Sequence, residues 1–309
     1  MKFLLMSDVH VDERQPVNRT DLIEITMQAK LKQVIDIATN NGCTAILQAG
    51  DFTNRPTIAN RTICRLQWLM RTSPVPMYFV AGQHDLLFRS LENINETAMG
   101  VLASSGLYHR LSPTDPVAFG GIHVYGCDWG SDIPTPLGSC GQNILVVHAS
   151  VGNKLFADHK ITPAEDFIKN NPMFDLILVG DYHFPFIKGV VNKKTKKVRR
   201  IINTGVLIRR SIDESEVEPA VAVYDTETRE ITWHCIDHVP NVFKDRKEAV
   251  EGVNELVEEV LANIQQAKTI SSDYRESVLR YVNSLDHIDD EVRATIFNIL
   301  DQAEEVLNA

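Results

Sequence analysis

Residues 1–10, MKFLLMSDVH, and two later stretches of the same build, 45–51 AILQAGD and 77–85 MYFVAGQHD, decide the fold. In each, an apolar run (Phe3 to Met6, Ala45 to Leu47, Met77 to Val80) has the length of a buried strand and breaks into a small polar or glycine-bearing loop. Between the first two lies a stripe at helical spacing, Ile23, Met27, Leu31, Val34, Ile35 and Ala38, with Asp21 near its start and Gly42 as its stop. A second helix, expected over about Thr57 to Arg71, joins the next pair. Strands alternating with helices predict a parallel sheet with helices on its faces, and such sheets collect ligands at the carboxyl ends of their strands.

Further along, a helix is expected over Ser90 to Ala103. Strands are then expected at 118–125, 144–147, 176–179, 187–191, 198–202, 220–224 and 231–235, in mixed or antiparallel pairing. From about Phe243 the pattern turns helical, with stripes Val250, Val253, Val257, Val260, Ile264 and Val292, Ile296, Ile299, Leu300, Ala303, Leu307. A domain of residues 1–240 followed by a helical region of residues 241–309, for assembly or partner binding, is therefore expected. The length of 309 residues agrees, since it exceeds what one hydrophobic core usually serves.

With 44% hydrophobic and 23% charged residues, the composition excludes disordered and collagenous classes. The opening apolar run of Phe3 to Met6 is far too short for a signal peptide or a ~20-residue membrane span. The five cysteines are widely spaced without a C-x-x-C pair, which suggests neither a disulfide framework nor a zinc knuckle and points to the reducing cytoplasm. The net charge of −10 argues against a generic polyanion binder. Its distribution is uneven: Asn241 to Ala309 hold seven basic and fifteen acidic residues, a net −8 that leaves −2 for the first 240. Within that nearly neutral part, Lys193, Lys194, Lys196, Lys197, Arg199 and Arg200 place six positive charges in eight residues. The run reads equally as a solvated hairpin tip or as a contact for a phosphate backbone.

Residues able to bind metal follow the apolar strands one after another: Asp8 and His10, Asp51, Gln83-His84-Asp85, His148, then Asp181 and His183. A single Asp-x-His or a lone histidine means little, but five strand exits supplying such groups predict a common site. Gly50, Gly82 and Gly180 are expected to supply tight turns before three of them.

The ordered pattern Asp8-x-His10, Gly50-Asp51, Gly82-Gln83-His84-Asp85, His148 and Gly180-Asp181-x-His183 resembles the calcineurin-like binuclear metallophosphoesterases, over roughly residues 1 to 237. The family's motifs read D-x-H, G-D, G-N-H-D or G-N-H-E, a histidine, and G-H-x-H. The 43-residue spacing from Asp8 to Asp51 and the Asn203-Thr204-Gly205 turn are most similar to SbcD-type DNA-repair nucleases of bacteria and phages.

The resemblance implies a sandwich of mixed sheets flanked by helices, with a small C-terminal helical appendage. It implies one metal on Asp8, His10 and His183, a bridging Asp51, a second metal on Gln83, His148 and Asp181, and His84 as the catalytic residue facing the phosphate. Two divalent ions about 3.5 to 4 Å apart clamp phosphoryl oxygens and acidify a shared water, so that metal-activated hydroxide attacks in line. The implied activity is that of a Mn²⁺-dependent DNA nuclease in repair or recombination, with Lys193, Lys194, Lys196 and Lys197 as substrate contacts. Implied partners are DNA, an SbcC-type ABC ATPase subunit or a second copy of the chain, and no membrane.

Two positions depart from the family pattern. Gln83 stands for asparagine, and its extra methylene moves the amide oxygen by more than the ~0.2 Å that coordination tolerates unless the backbone withdraws. Asp181 stands for histidine, so three carboxylates would face two dications, which favours Mn²⁺, or Mg²⁺, over Zn²⁺. A small-molecule phosphodiesterase or phosphatase of the same fold, and a catalytically decayed structural subunit, remain the alternatives at this stage.

Overall fold

The structure is a computed structural model that describes residues 1–136, 141–153, 161–191, 196–244 and Phe297. In chain order its strands are β1 Lys2–Met6, β2 Ala45–Gln48, β3 Met77–Phe79, β4 Tyr108–Arg110, β5 Val117–Phe119, β6 Ile122–Cys127, β7 Gln142–His148, β8 Val151–Gly152, β9 Thr162–Pro163, β10 Leu176–Gly180, β11 Phe186–Val191, β12 Val198–Asn203, β13 Ala220–Asp225 and β14 Ile231–Cys235. The helices are α1 Ile23–Asn40, α2 Asn60–Thr72, α3 Ala98–Ser104 and α4 Ala164–Asn170. Among the described residues these strands form two six-stranded sheets, ordered β14-β13-β1-β2-β3-β4 and β11-β12-β10-β7-β6-β5, with β8 and β9 as a separate pair.

Each sheet is parallel where it matters for the site. β1, β2, β3 and β4 run parallel in the first sheet, and β6, β7, β10 and β12 in the second, with antiparallel strands at the margins. The alternation of side chains across a strand sets the layers. Phe3 and Leu5 point between the sheets, against Ile144, Val146, Leu176 and Leu178. Leu4 and Met6 point the other way, onto Met27, Leu31 and Val34 of α1. On the second sheet, Leu145, Val147, Ile177 and Val179 face outward to Ile168 of α4. Both sheets are thus covered on both faces, which is why their central strands read as unbroken apolar runs.

The chain divides into two units, residues 1–15 with 21–242, and residues 16–20 with 243–309. In the second unit Arg19 bridges antiparallel to Phe243, Lys244 N donates to the Asn18 carbonyl at 2.8 Å, and the Arg19 guanidinium lies 5.6 Å from the Phe243 ring centroid. The helical stripes anticipated beyond residue 243 lie outside the described residues. No helix among the described residues is long and apolar enough to cross a membrane.

Three expectations are corrected. The single strand anticipated over 118–125 is the hairpin of β5 and β6, turned at Gly120-Gly121, where Gly120 takes a left-handed φ of 59°. The helix anticipated over 90–103 is a 3₁₀ segment, Leu91–Glu96, followed by α3. Thr97 leaves the helical conformation between them and accepts from Gly100 N through its side chain, as an N-cap does. α2 begins at Asn60, three residues later than Thr57.

Candidate metal centre

The carboxyl ends of the parallel strands of both sheets meet in one crevice. β1 leads into Asp8 and His10, β2 into Asp51, β3 into the 3₁₀ turn Gln83–Asp85, β7 ends on His148, and β10 leads through Gly180 into Asp181 and His183. Two groups draw their ligand atoms within 4.8 Å of one another: Asp8, His10 and His183, and Asp8, Asp51 and His148. His10 Nε2 lies 3.0 Å from His183 Nε2 and 4.0 Å from Asp51 Oδ2. His148 Nε2 lies 3.5 Å from Asp51 Oδ2 and 3.8 Å from Asp181 Oδ1. All seven residues predicted as ligands therefore surround one space, with Gln83 joined to it by a 2.7 Å bond from Nε2 to Asp181 Oδ1.

The backbone enters this crevice under strain. His10, Asp51 and Asp181 adopt φ of 55°, 51° and 88°, in the left-handed region that costs a residue bearing a Cβ. The glycines anticipated as turns have two different jobs. Gly50 needs its φ of 83° and also lacks room, a Cβ there lying 2.4 Å from His148 Nδ1, whereas Gly82 and Gly180 have no positive φ and are glycine for lack of room alone. A Cβ on Gly82 would sit 2.1 Å from Asp51 Oδ1, and one on Gly180 would sit 2.1 Å from the Ala49 carbonyl.

Three of the four imidazoles are aimed by their far nitrogen, whereas His10 Nδ1 is buried with no hydrogen-bond partner. His148 Nδ1 lies 2.7 Å from the Ala49 carbonyl, so this nitrogen carries the proton and Nε2 faces the crevice. His183 Nδ1 lies 2.5 Å from Glu214 Oε1, the arrangement by which outer carboxylates orient metal-binding histidines. His84 Nδ1 lies 2.9 Å from the Asn54 carbonyl, while His84 N donates to Asp51 Oδ1 at 2.8 Å. Its exposed ring packs edge to face on that of His10. Asp85 faces away from the crevice and ties its floor together, accepting from Thr53 N and Oγ1 at 2.8 Å each and from Gly82 N at 2.9 Å.

Electrostatics follow from burial and from these pairs. Burial raises Asp8 to about 6, against the pull of His148 and His183. Burial, with His183 alongside, lowers His10 to about 3. Burial alone would depress His148, but the Asp51 carboxylate raises it to about 10 and is itself held well below the usual carboxylate range. In the same way the bond to Glu214 overcomes burial, raising His183 to about 9 and lowering Glu214 to about 2.

Divalent ions fit this donor set. Asp8 Oδ2, Asp51 Oδ2, Gln83 Oε1 and His148 Nε2 are all buried with no hydrogen-bond partner. Buried polar atoms are rarely left so, because an unmet donor or acceptor costs about 1–3 kcal/mol. Four of them at one crevice are what a cation would satisfy.

Lys196 and Lys197 lie elsewhere. β11 pairs antiparallel with β12 from Phe186–Asn203 at the crevice end to Val191–Val198 at the other, so Lys196 and Lys197 follow the far end of the hairpin, roughly 17 Å along the strands. There Lys197 Nζ meets the buried Asp175 Oδ1 at 2.5 Å. Lys193 and Lys194 lie outside the described residues. Sequence reasoning missed Glu214. The Ser211-Ile212-Asp213-Glu214 spacing of a capping box, which the structure forms, signals the turn but not the reach to His183.

A sandwich whose parallel strands deliver carboxylates and imidazoles to one crevice defines a metal-dependent phosphoesterase. The chain belongs to the calcineurin-like phosphoesterase family, whose model matches residues 1–185. A metallophosphoesterase from Sphaerobacter thermophilus is 18% identical over 83% of this chain and 93% of its own, with a TM-score of 0.38. A dimetal phosphatase from Danio rerio is 10% identical over 77% and 96%, at 0.47, and a hypothetical protein from Pyrococcus horikoshii 12% identical over 82% and 93%, at 0.39. No curated protein sequence matches.

Proposed function

We propose that this chain is a two-metal phosphodiesterase of the SbcD type, cleaving the DNA backbone with Mn²⁺. The observation that carries the two-metal reading is the set of four partnerless buried donors around one space. Asp8, His10 and His183 would hold one ion, and Gln83, His148 and Asp181 the other. Asp51, whose Oδ2 faces both His10 and His148, would be shared. Bound ions would supply Lewis acidity toward a phosphoryl oxygen and acidify a water toward neutral pH.

The chain's own part is positioning and proton transfer. The Asn54 carbonyl accepts the Nδ1 proton of His84 and leaves Nε2 as the atom that meets a substrate oxygen, where a protonated ring can give its proton to the leaving group. The Asp51 carboxylate bonded to His84 N holds that residue against the shared ligand. DNA as the substrate rests on the motif spacing and on the basic turn. A second reading, a small diester, is favoured by the position of Lys196 and Lys197 at the far end of their hairpin.

Turnover by the Mn²⁺-loaded protein of single-stranded DNA, duplex DNA, a generic diester and a generic monoester separates the readings. DNA cleavage is expected. Preference for the monoester would sink the diesterase reading, cleavage of the generic diester alone would leave only the small-diester reading, and inertness toward all four would point to a structural subunit.

A further inference from the structure

Gln83 and Asp181 lie 98 positions apart and meet across the crevice, Gln83 Nε2 donating to Asp181 Oδ1 at 2.7 Å. An ionised carboxylate only accepts, so the amide has one orientation: its N–H faces Asp181, and its Oε1 is buried with no partner. The same Asp181 oxygen lies 3.8 Å from His148 Nε2, which makes no hydrogen bond and faces Asp51 Oδ2 at 3.5 Å. Asp181 comes from a left-handed backbone position and its own N–H is spent on Asp8 Oδ1 at 2.9 Å, so the turn is fixed and leaves the short side chain to be braced from across the crevice.

The geometry points to a coupled pair: Gln83 braces Asp181 through its amide N–H while offering Oε1 to the second ion, so that the two residues together make that position rich in oxygen and set its preference for a hard cation. The inference rests on the two-metal reading and goes beyond it, because it makes neither residue useful without the other. Length is the reason. Asparagine at 83 would withdraw the amide by about one C–C bond, 1.5 Å, and carry it out of hydrogen-bond range of Asp181. Glutamate at 83 keeps the length but swaps the donor for a charge that repels Asp181. An imidazole at 181 reaches further than a carboxylate and would collide with the glutamine amide. Only the two changes together, Gln83→Asn with Asp181→His, restore a pair whose lengths match, now with one more nitrogen donor.

The test is a double-substitution cycle on the full chain, read by calorimetric titration with Mn²⁺ and Zn²⁺, by metal content, and by the spin-coupled signal of a Mn²⁺ pair. Circular dichroism confirms folding of each variant. The wild type is expected to bind two Mn²⁺. Gln83→Asn, Gln83→Glu and Asp181→His should each weaken the second Mn²⁺ by about 10- to 100-fold and erase the coupled signal, as loss of an orienting partner does. The double variant should regain a second ion within a few-fold and favour Zn²⁺, as imidazole ligands do more than carboxylates. Effects that simply multiply in the double variant, or a Gln83→Glu chain that keeps its second ion, would overturn the pairing while leaving the two-metal reading intact. A wild-type chain that binds fewer than two ions would overturn both.

Discussion

His84 hangs by Nδ1 from the Asn54 carbonyl at the open side of the crevice, whereas Asp51 is buried at its centre with one oxygen that accepts no hydrogen bond. Their removal should therefore separate chemistry from metal. His84→Ala is expected to keep its metal content and lose about 10²- to 10⁴-fold in turnover, the usual range for a proton-transferring side chain. Asp51→Ala should lose both, and metal analysis beside the diester assay decides it. The thiols give a pH-dependent check on the core. Burial raises Cys43 to about 11 and Cys127 to about 12, while Cys64 and Cys235 are exposed. Only the thiolate is alkylated, and a raised pKa leaves less of it at a given pH. Iodoacetamide at pH 8 should therefore mark Cys64 and Cys235 and spare the buried pair, as peptide mass spectrometry will show. Labelling of the buried pair should climb about tenfold per pH unit for as long as the fold holds. That the candidate ligands gather at one crevice was legible in the sequence because each sits within a few positions of a strand end, so local pattern and spatial position coincide. Glu214 was not, since its bond to His183 spans 31 positions and depends on the path of the chain after β12.

The hairpin of β11 and β12 is the element whose role changes most once it is folded. The basic run was read equally as a solvated tip or as a substrate contact, but an antiparallel hairpin runs away from its base, and Lys197 on this one meets Asp175. If DNA is bound there, it must reach the turn and the crevice at once. Lys196→Ala should then lower the log-log salt slope of DNA binding by about 0.7 to 0.9 without changing turnover of a small diester. An unchanged slope returns the turn to a solvated tip. Lys197→Ala is the poorer probe, because it takes an ion-pair partner from a buried carboxylate and so touches stability as well. The β5–β6 hairpin escaped the sequence reading for a plainer reason: Gly120-Gly121 sits inside an apolar run, and periodicity cannot see a reversal of direction. The central parallel strands were legible because burial on both faces makes them apolar, whereas β4, parallel to β3 but with His109 and Arg110 exposed, went unread.

At the scale of the molecule, both sheets and every candidate ligand fall within residues 1–242. A chain ended after Val242 should therefore fold, by circular dichroism and thermal melting, and on the proposed reading turn over a small diester with Mn²⁺ as the full chain does. Any self-association or ATPase binding lost on truncation, by light scattering and co-purification, would locate assembly in the removed residues. The partnerless donors make a second whole-molecule prediction. Each ion that binds only the folded state at about 100 times its Kd adds about 2.7 kcal/mol, so Mn²⁺ should raise Tm by roughly 5–10 °C for each site filled and EDTA should reverse it. The left-handed backbone at His10, Asp51 and Asp181 sets these two properties, hardiness and chemistry, against each other. Glycine would rest more easily at all three positions and would leave the crevice only Asp8, Gln83, His148 and His183 of its candidate ligands. A redesign that scored each position by the comfort of its backbone would change 10, 51 and 181 first, and would return a tougher molecule with its candidate metal centre broken.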